Sequence, residues 1–129
     1  MARAVRRNTI LVVEDDQSFR ELITLHLLEA GYAVRAVADG AEAVRACLNS
    51  VPDLIVSDVH MPRLDGIDFV ASIRSVERLR TVPVIFLTID ETAVDRIEAH
   101  RNVMFLRKPI LASGLLRAVS ISLGECREE

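Results

Sequence analysis

Four places in this 129-residue chain put groups capable of chemistry directly after apolar runs. Glu14, Asp15 and Asp16 follow Thr9 to Val13, and Asp58 follows Leu54-Ile55-Val56-Ser57. Thr88 closes Val84 to Thr88, and Lys108 follows Val103 to Leu106. Several carboxylates in a partly desolvated cleft repel one another, and the usual remedies are a raised pKa or a bound cation. Magnesium fits such a set, because it takes hard oxygen ligands and is typically held by one or two carboxylates together with a phosphate. A lysine adds a second positive charge and a threonine hydroxyl can bind a phosphoryl oxygen. A carboxylate can itself be the nucleophile, giving an acyl phosphate. These are the parts of phosphoryl transfer, whose catalysis is mostly positioning and charge stabilisation.

For those groups to meet, the apolar runs must be parallel strands with their carboxyl ends on one edge, where open α/β sheets place ligands. The sequence reads that way. Leu54 to Asp58, between Pro52 and the breakers Met61-Pro62 and Asp65-Gly66, is a buried strand emptying into a loop. After the first strand, Ser18 and Glu21 have capping-box spacing, and Phe19, Leu22, Ile23 and Leu27 recur at helical intervals up to Gly31. Tyr32 to Val37 reads as a second strand, and Asp39-Gly40 turns into a helix over Ala41 to Asn49. Ile67, Val70, Ile73 and Val76 mark one face of a third helix ending near Arg80. The fourth strand is Val84 to Thr88. Asp90 or Thr92 can cap a short polar fourth helix carrying Ala93, Val94, Ile97 and His100. Val103 to Leu106 is the fifth strand, closed by Lys108-Pro109. Leu111, Leu115, Leu116, Val119 and Leu123 line a last helix.

Five strand–helix units imply right-handed crossovers and a doubly wound α/β domain: a five-stranded parallel sheet with helices on both faces. The expected organisation is a basic tail over 1–8, one domain over 9–125 and a short tail over 126–129. At 50% hydrophobic the chain can build a core, and with 4% aromatics that core is aliphatic. The net charge of -3 gives no bulk reason for nucleic-acid binding. Arg3, Arg6 and Arg7 read as a solvated start. No segment approaches the roughly 20 apolar residues of a membrane span, nor is there a signal-peptide core, so a soluble, cytoplasmic protein is expected. Cys47 and Cys126, in different expected helices, read as reduced thiols. His26 and His100 read as surface or edge positions. Asp16 is expected to cap the first helix rather than to touch metal.

The series VVEDD at 12–16, SDVHMPRLDG at 57–66, Thr88 after an apolar strand and Lys108-Pro109 resembles the receiver domain of bacterial two-component response regulators. The resemblance runs from about Thr9 to Leu123 and implies a flavodoxin-like fold. It implies that Asp58 accepts a phosphoryl group from a phosphohistidine on a sensor histidine kinase or histidine phosphotransfer protein. Asp15 and Asp58 would ligate Mg2+ by side chain, His60 through its backbone carbonyl and Glu14 through a water. Lys108 would pair with the phosphoryl group and the Thr88 hydroxyl would move to meet it. Phe105 falls at the family's switch aromatic, turning inward as Thr88 moves and altering a surface read by a downstream effector domain or protein. Such a module is not an enzyme beyond its own phosphorylation and dephosphorylation. A homodimer is possible, and direct nucleic-acid or membrane binding is not expected.

Two features depart from the family pattern. Ile89 stands where a small residue is usual, and with His60 and Asp90 it flanks the site entrance; its bulk is expected to restrict access by water or donor. The segment between Thr88 and Lys108 is short and reads His100-Arg101-Asn102 before the fifth strand, in place of the usual Gly-Ala pair. The alternatives are a degenerate receiver that binds partners without phosphorylation, or an aspartyl-nucleophile phosphohydrolase. The latter generally needs a second acid at the position of His60.

Overall fold

The computed structural model describes residues 7–61, 64–89, 95–96 and 102–125. Its strands are β1 (Thr9–Val13), β2 (Ala33–Val37), β3 (Leu54–Asp58), β4 (Val84–Thr88) and β5 (Val103–Arg107). The α-helices with described bounds are α1 (Gln17–Glu29), α2 (Gly40–Asn49), α3 (Gly66–Ile73) and α4 (Ala112–Ser122), with a 3-10 turn at Glu77–Leu79. All strand pairs are parallel, in the order β2-β1-β3-β4-β5. The chain therefore winds outward in one direction from β1 to β2 and in the other from β3 onward. That reversal opens a crevice beyond the carboxyl ends of β1 and β3, where such sheets bind ligands.

Both faces of the sheet are covered, which is why its central strands are apolar throughout rather than alternating. Leu11, Val13, Ile55, Val84 and Phe86 point to one face and pack with Ala43, Cys47, Phe69, Val70 and Ile73 of α2 and α3. Ile10, Val12, Leu54, Val56, Ile85 and Leu87 point to the other and pack with Ile23, Leu27, Leu115 and Val119 of α1 and α4. Each fully buried Leu or Ile contributes about 2 kcal/mol relative to an exposed one. The interior is aliphatic as composition implied, with Phe69 and Phe86 as its fully buried aromatics.

Several local expectations need correction. The N-cap of α1 is Asp16, whose side chain accepts from the backbone N–H groups of Ser18 and Phe19 at 3.0 and 3.3 Å. A carboxylate there satisfies two orphan donors, so the Ser18–Glu21 box is not formed. Leu22 is exposed, because α1 buries only the narrow stripe of Ile23 and Leu27. Tyr32 precedes β2 rather than opening it. The third helix stops at Ile73; Leu79 is buried instead from the 3-10 turn that follows. Leu111 is the N-cap of α4, 73% exposed, and takes no part in that helix's buried side. The strand β5 runs one residue further than expected, to Arg107, which pairs with Thr88. Of the expected fourth helix, Asp95 and Arg96 are helical. Its caps Asp90 and Thr92, together with His100, Cys126, Arg3 and Arg6, lie outside the described residues.

Candidate functional site

The register delivers each group to the same edge. β1 and β3 pair through Val13 and Ser57, so Glu14 and Asp58 follow side by side. The ladder continues one step past each strand. Glu14 N donates to Val37 O at 3.1 Å, Val59 N to Leu87 O at 3.1 Å, and Lys108 N to Thr88 O at 2.9 Å. The side chains of Glu14, Asp58 and Lys108 therefore leave from fixed backbone rather than from loose loops. The Lys108–Pro109 peptide bond is cis.

Glu14, Asp15 and Asp58 each offer a carboxylate oxygen, and the three atoms lie within 4.8 Å of one another. Glu14 and Asp58 are buried, whereas Asp15 is exposed at the mouth. Lys108 Nζ stands between the buried pair, 3.4 Å from Asp58 Oδ1 and 3.6 Å from Glu14 Oε1. One ammonium facing three carboxylates leaves an excess of negative charge, and the ionisations respond. Burial, and then the charge of Asp58, push Glu14 up to about 7, although the Asp16 N–H and Lys108 oppose the rise. Burial also raises Asp58 above its ordinary value, with Lys108 as the main opposing influence. Glu14 Oε2 accepts the Asp16 N–H at 3.1 Å, while Glu14 Oε1 is buried without a hydrogen-bond donor. An acceptor in that condition is costly unless something occupies its lone pairs.

The loop after β3 is held tightly over Asp58. Gly66 N donates to Val59 O at 2.7 Å, and a Cβ at Gly66 would collide with the Asp58 carbonyl oxygen. Only glycine lets the start of α3 approach this closely. Ser57 Oγ donates to the same Asp58 carbonyl at 2.8 Å. Asp65 caps α3 through the Asp68 N–H at 2.9 Å, and its other oxygen meets Arg96 Nη2 at 3.2 Å. Arg96 thereby pairs with the residue that caps α3, in the loop that follows Asp58.

A family model described as the response regulator receiver domain matches residues 10–120. The chain belongs to the response regulator receiver family. Among its relatives, the transcriptional regulatory protein GltR of Pseudomonas aeruginosa is 39% identical over 69% of this chain; the match spans 37% of GltR. The receiver domain of a signal transduction histidine kinase from Syntrophus aciditrophicus is 39% identical, with a TM-score of 0.83 and 95% of each chain covered. The receiver domain of sensor histidine kinase PA1611 from Pseudomonas aeruginosa is 34% identical, with a TM-score of 0.85 over 92% of this chain and 99% of that one. Its structure has a magnesium ion coordinated in the active-site cleft. The receiver fold expected from the sequence is thus the observed one. No helix among the described residues is long and apolar enough to cross a membrane.

Receiver domains bind Mg2+ at an acidic pocket, and the groups present here suit that ion. The donors are hard oxygens, the excess charge is negative, and the buried Glu14 Oε1 lacks a donor. Of the other residues singled out in the sequence, Thr88 is buried at the end of β4. Phe105 is half-buried opposite Phe86, packed on the α2–α3 side of the sheet. His60 is exposed, as is Ile89, at 73%; Asp90 lies outside the described residues. Asp16 caps α1 as expected. Sequence reasoning missed the contributions of Phe19, Arg20 and Gly66. Phe19 lies under the Lys108 ammonium, 4.7 Å from ring centroid to Nζ, and Arg20 Nη1 donates to Glu14 O at 2.8 Å. Once Asp16 is taken as the cap, positions 19 and 20 fall in the first helical turn beside the site, which is the signal that could have found them.

Proposed function

We propose that this receiver domain, taken as residues 9–125, is a phosphorylation-dependent switch with Asp58 as the acceptor. The observation that carries this reading is a buried Asp58 carboxylate held 3.4 Å from Lys108 Nζ and grouped with Glu14 and Asp15. The donor is a phosphohistidine on a sensor histidine kinase or histidine phosphotransfer protein. An Asp58 carboxylate oxygen attacks phosphorus in line. The P–N bond breaks, its electron pair passes to the imidazole nitrogen, and that nitrogen takes a proton from solvent. Asp15 and Asp58 would hold Mg2+ by side chain, with the His60 backbone carbonyl and, through a water, Glu14 as further ligands. When bound, the ion supplies the charge that offsets the carboxylates and the phosphoryl oxygens. Lys108 neutralises a further phosphoryl oxygen, and the Thr88 hydroxyl hydrogen-bonds to another.

The acyl phosphate then biases a two-state surface. Thr88 moves towards the new oxygens, Phe105 turns inward, and the altered face is read by an effector domain or protein or by a second copy of the chain. The exposed Ile89 and His60, which follow β4 and β3 at the acceptor's edge, limit access by water. An unchanged phospho-Asp58 lifetime in Ile89→Ala would count against that role. The acceptor is tested by incubation with acetyl phosphate and magnesium followed by intact mass. A phospho-adduct that disappears in Asp58→Asn is expected. No adduct with any donor would leave a phosphorylation-independent binding module, and turnover of a phosphate ester a hydrolase.

A further inference from the structure

The Lys108 ammonium is held less firmly by the carboxylates than its central position implies. Its separations of 3.4 and 3.6 Å from Asp58 and Glu14 exceed the roughly 2.7–2.9 Å typical of a short charge-assisted hydrogen bond. A lysine carries a compact charge on a flexible four-carbon stem, so two long ion pairs leave it considerable freedom. The third contact is the face of Phe19, whose centroid lies 4.7 Å from Nζ, well inside the range of cation–π attraction.

That ring is built into the site. Asp16 donates its N–H to Glu14 Oε2 and then caps the N–H groups of Ser18 and Phe19; Arg20 reaches back to Glu14 O. The rotational phase of α1, and with it the direction of residue 19, is thus fixed by Asp16 and by Glu14, the latter also facing Lys108. Phe19 also packs against the apolar cluster between α1, α4 and the sheet, which supports the ring from behind.

We propose that Phe19 is a positioning residue for the phosphorylation reaction, its ring face holding the Lys108 ammonium where it meets the incoming phosphoryl group. This rests on the reading of Asp58 as acceptor. The chemistry requires an aromatic face at position 19, not merely an apolar volume. A leucine fills most of the space and offers no negative face, whereas tyrosine and tryptophan keep one.

The experiment measures the rate of Asp58 phosphorylation by acetyl phosphate with magnesium, by intact mass, for wild type, Phe19→Leu, Phe19→Tyr, Phe19→Trp and a 3,4,5-trifluorophenylalanine placed at position 19. Fluorination keeps the ring's shape and drains its face of negative charge, so it separates electrostatics from packing. The leucine and trifluorinated proteins should react about fivefold more slowly, with tyrosine and tryptophan close to wild type. By NMR, the Lys108 methylene protons should show a ring-current shift in wild type that disappears in Phe19→Leu, with or without phosphorylation. If wild type is phosphorylated but the leucine and trifluorinated proteins match it, Phe19 is packing only and the proposal fails while Asp58 stands. Equal slowing of the tyrosine and leucine variants, or a missing ring-current shift, overturns it as well. If wild type forms no adduct on Asp58, the acceptor reading fails and this inference goes with it.

Discussion

At the amino end of the sheet, Asp53 and Thr9 exchange two hydrogen bonds of 2.8 Å, one through the Asp53 carboxylate and one through its backbone N–H. Glu125, just beyond α4, accepts from Tyr32 Oη at 2.8 Å and from Asn8 Nδ2 at 2.6 Å. At the carboxyl end, Glu14 is buried with one oxygen lacking a donor, and it shares a single lysine with Asp58. The same residue types thus serve as fasteners at one end and stand in repulsion only partly relieved by one lysine at the other. Cavity volume does not make this distinction. A cleft of about 280 Å³ lies by Asn102 and Ile121 at the amino end, lined by no ionisable side chain among the described residues. What marks the carboxyl end is buried charge without matching donors, the condition that sets functional sites apart from structural ones.

The largest expected effect tests how closely the carboxyl end is packed. Gly66→Ala places a methyl group against the Asp58 carbonyl and should cost about 3 kcal/mol in urea unfolding, with loss of phosphorylation. Gly31, at φ +99° between α1 and β2, has open space within 4 Å of where a Cβ would sit, so only backbone strain opposes alanine there. Gly31→Ala should cost about 1 kcal/mol and leave phosphorylation intact. Equal costs for the two variants would remove the claim that the approach of α3 over Asp58 is the tighter constraint.

The next effect has opposite signs at the two ends. Glu14→Gln removes a charge that the fold disfavours, keeps an acceptor for the Asp16 N–H, and should stabilise the metal-free protein by about 1–2 kcal/mol at pH 8. Asp53→Asn weakens a satisfied acceptor and should destabilise by about 1 kcal/mol. The contribution of Glu14 also has a defined pH window. Its folded pKa of about 7 lies above its ordinary 4.5, so between those values the folded state binds more protons than the unfolded state. Stability from this group is complete below pH 4.5 and is lost as pH rises through 7. Denaturant midpoints from about pH 4 to 8 should show this loss in wild type and not in Glu14→Gln. Added magnesium should shrink the difference between them; a magnesium-independent difference would separate Glu14 from the metal.

Most of this contrast was legible in the sequence at the level of strands. The acids after Val13, Asp58 after Ser57, and Lys108 after β5 are fixed by where apolar runs end, and a parallel sheet gathers such ends on one edge. What the sequence hid depends on side-chain direction and local competition. The sequence pointed to Asp16 as a cap and to a Ser18–Glu21 box at once, and neither pattern showed that the phase set by Asp16 turns Phe19 towards Lys108. Leu22 and Leu111 looked like core residues by spacing, yet the helices bury narrower faces than the apolar pattern marks. The pairing of Glu125 with Tyr32 spans 93 residues, and no local pattern announces it.

That pairing supplies the smallest effect and a second pH window. Burial and the neighbouring Glu125 push the Tyr32 phenol up to about 12 from its ordinary 10.0. The unfolded chain therefore releases this proton first. The stability that Tyr32 contributes is complete below pH 10 and is lost as pH rises towards 12, far from the window of Glu14. Tyr32→Phe removes a partly exposed hydrogen bond and should cost about 0.5 kcal/mol at pH 7. The wild-type advantage over the variant should then shrink as pH climbs past about 10, because ionised Tyr32 no longer donates to the carboxylate and repels it instead. Urea midpoints of the two proteins from about pH 7 to 11 measure that difference directly, since the other titrating groups are common to both. A difference that stays constant across the range would mean that Glu125 does not hold the phenol, and the amino end would lose one of the fasteners that set it apart from the acidic site.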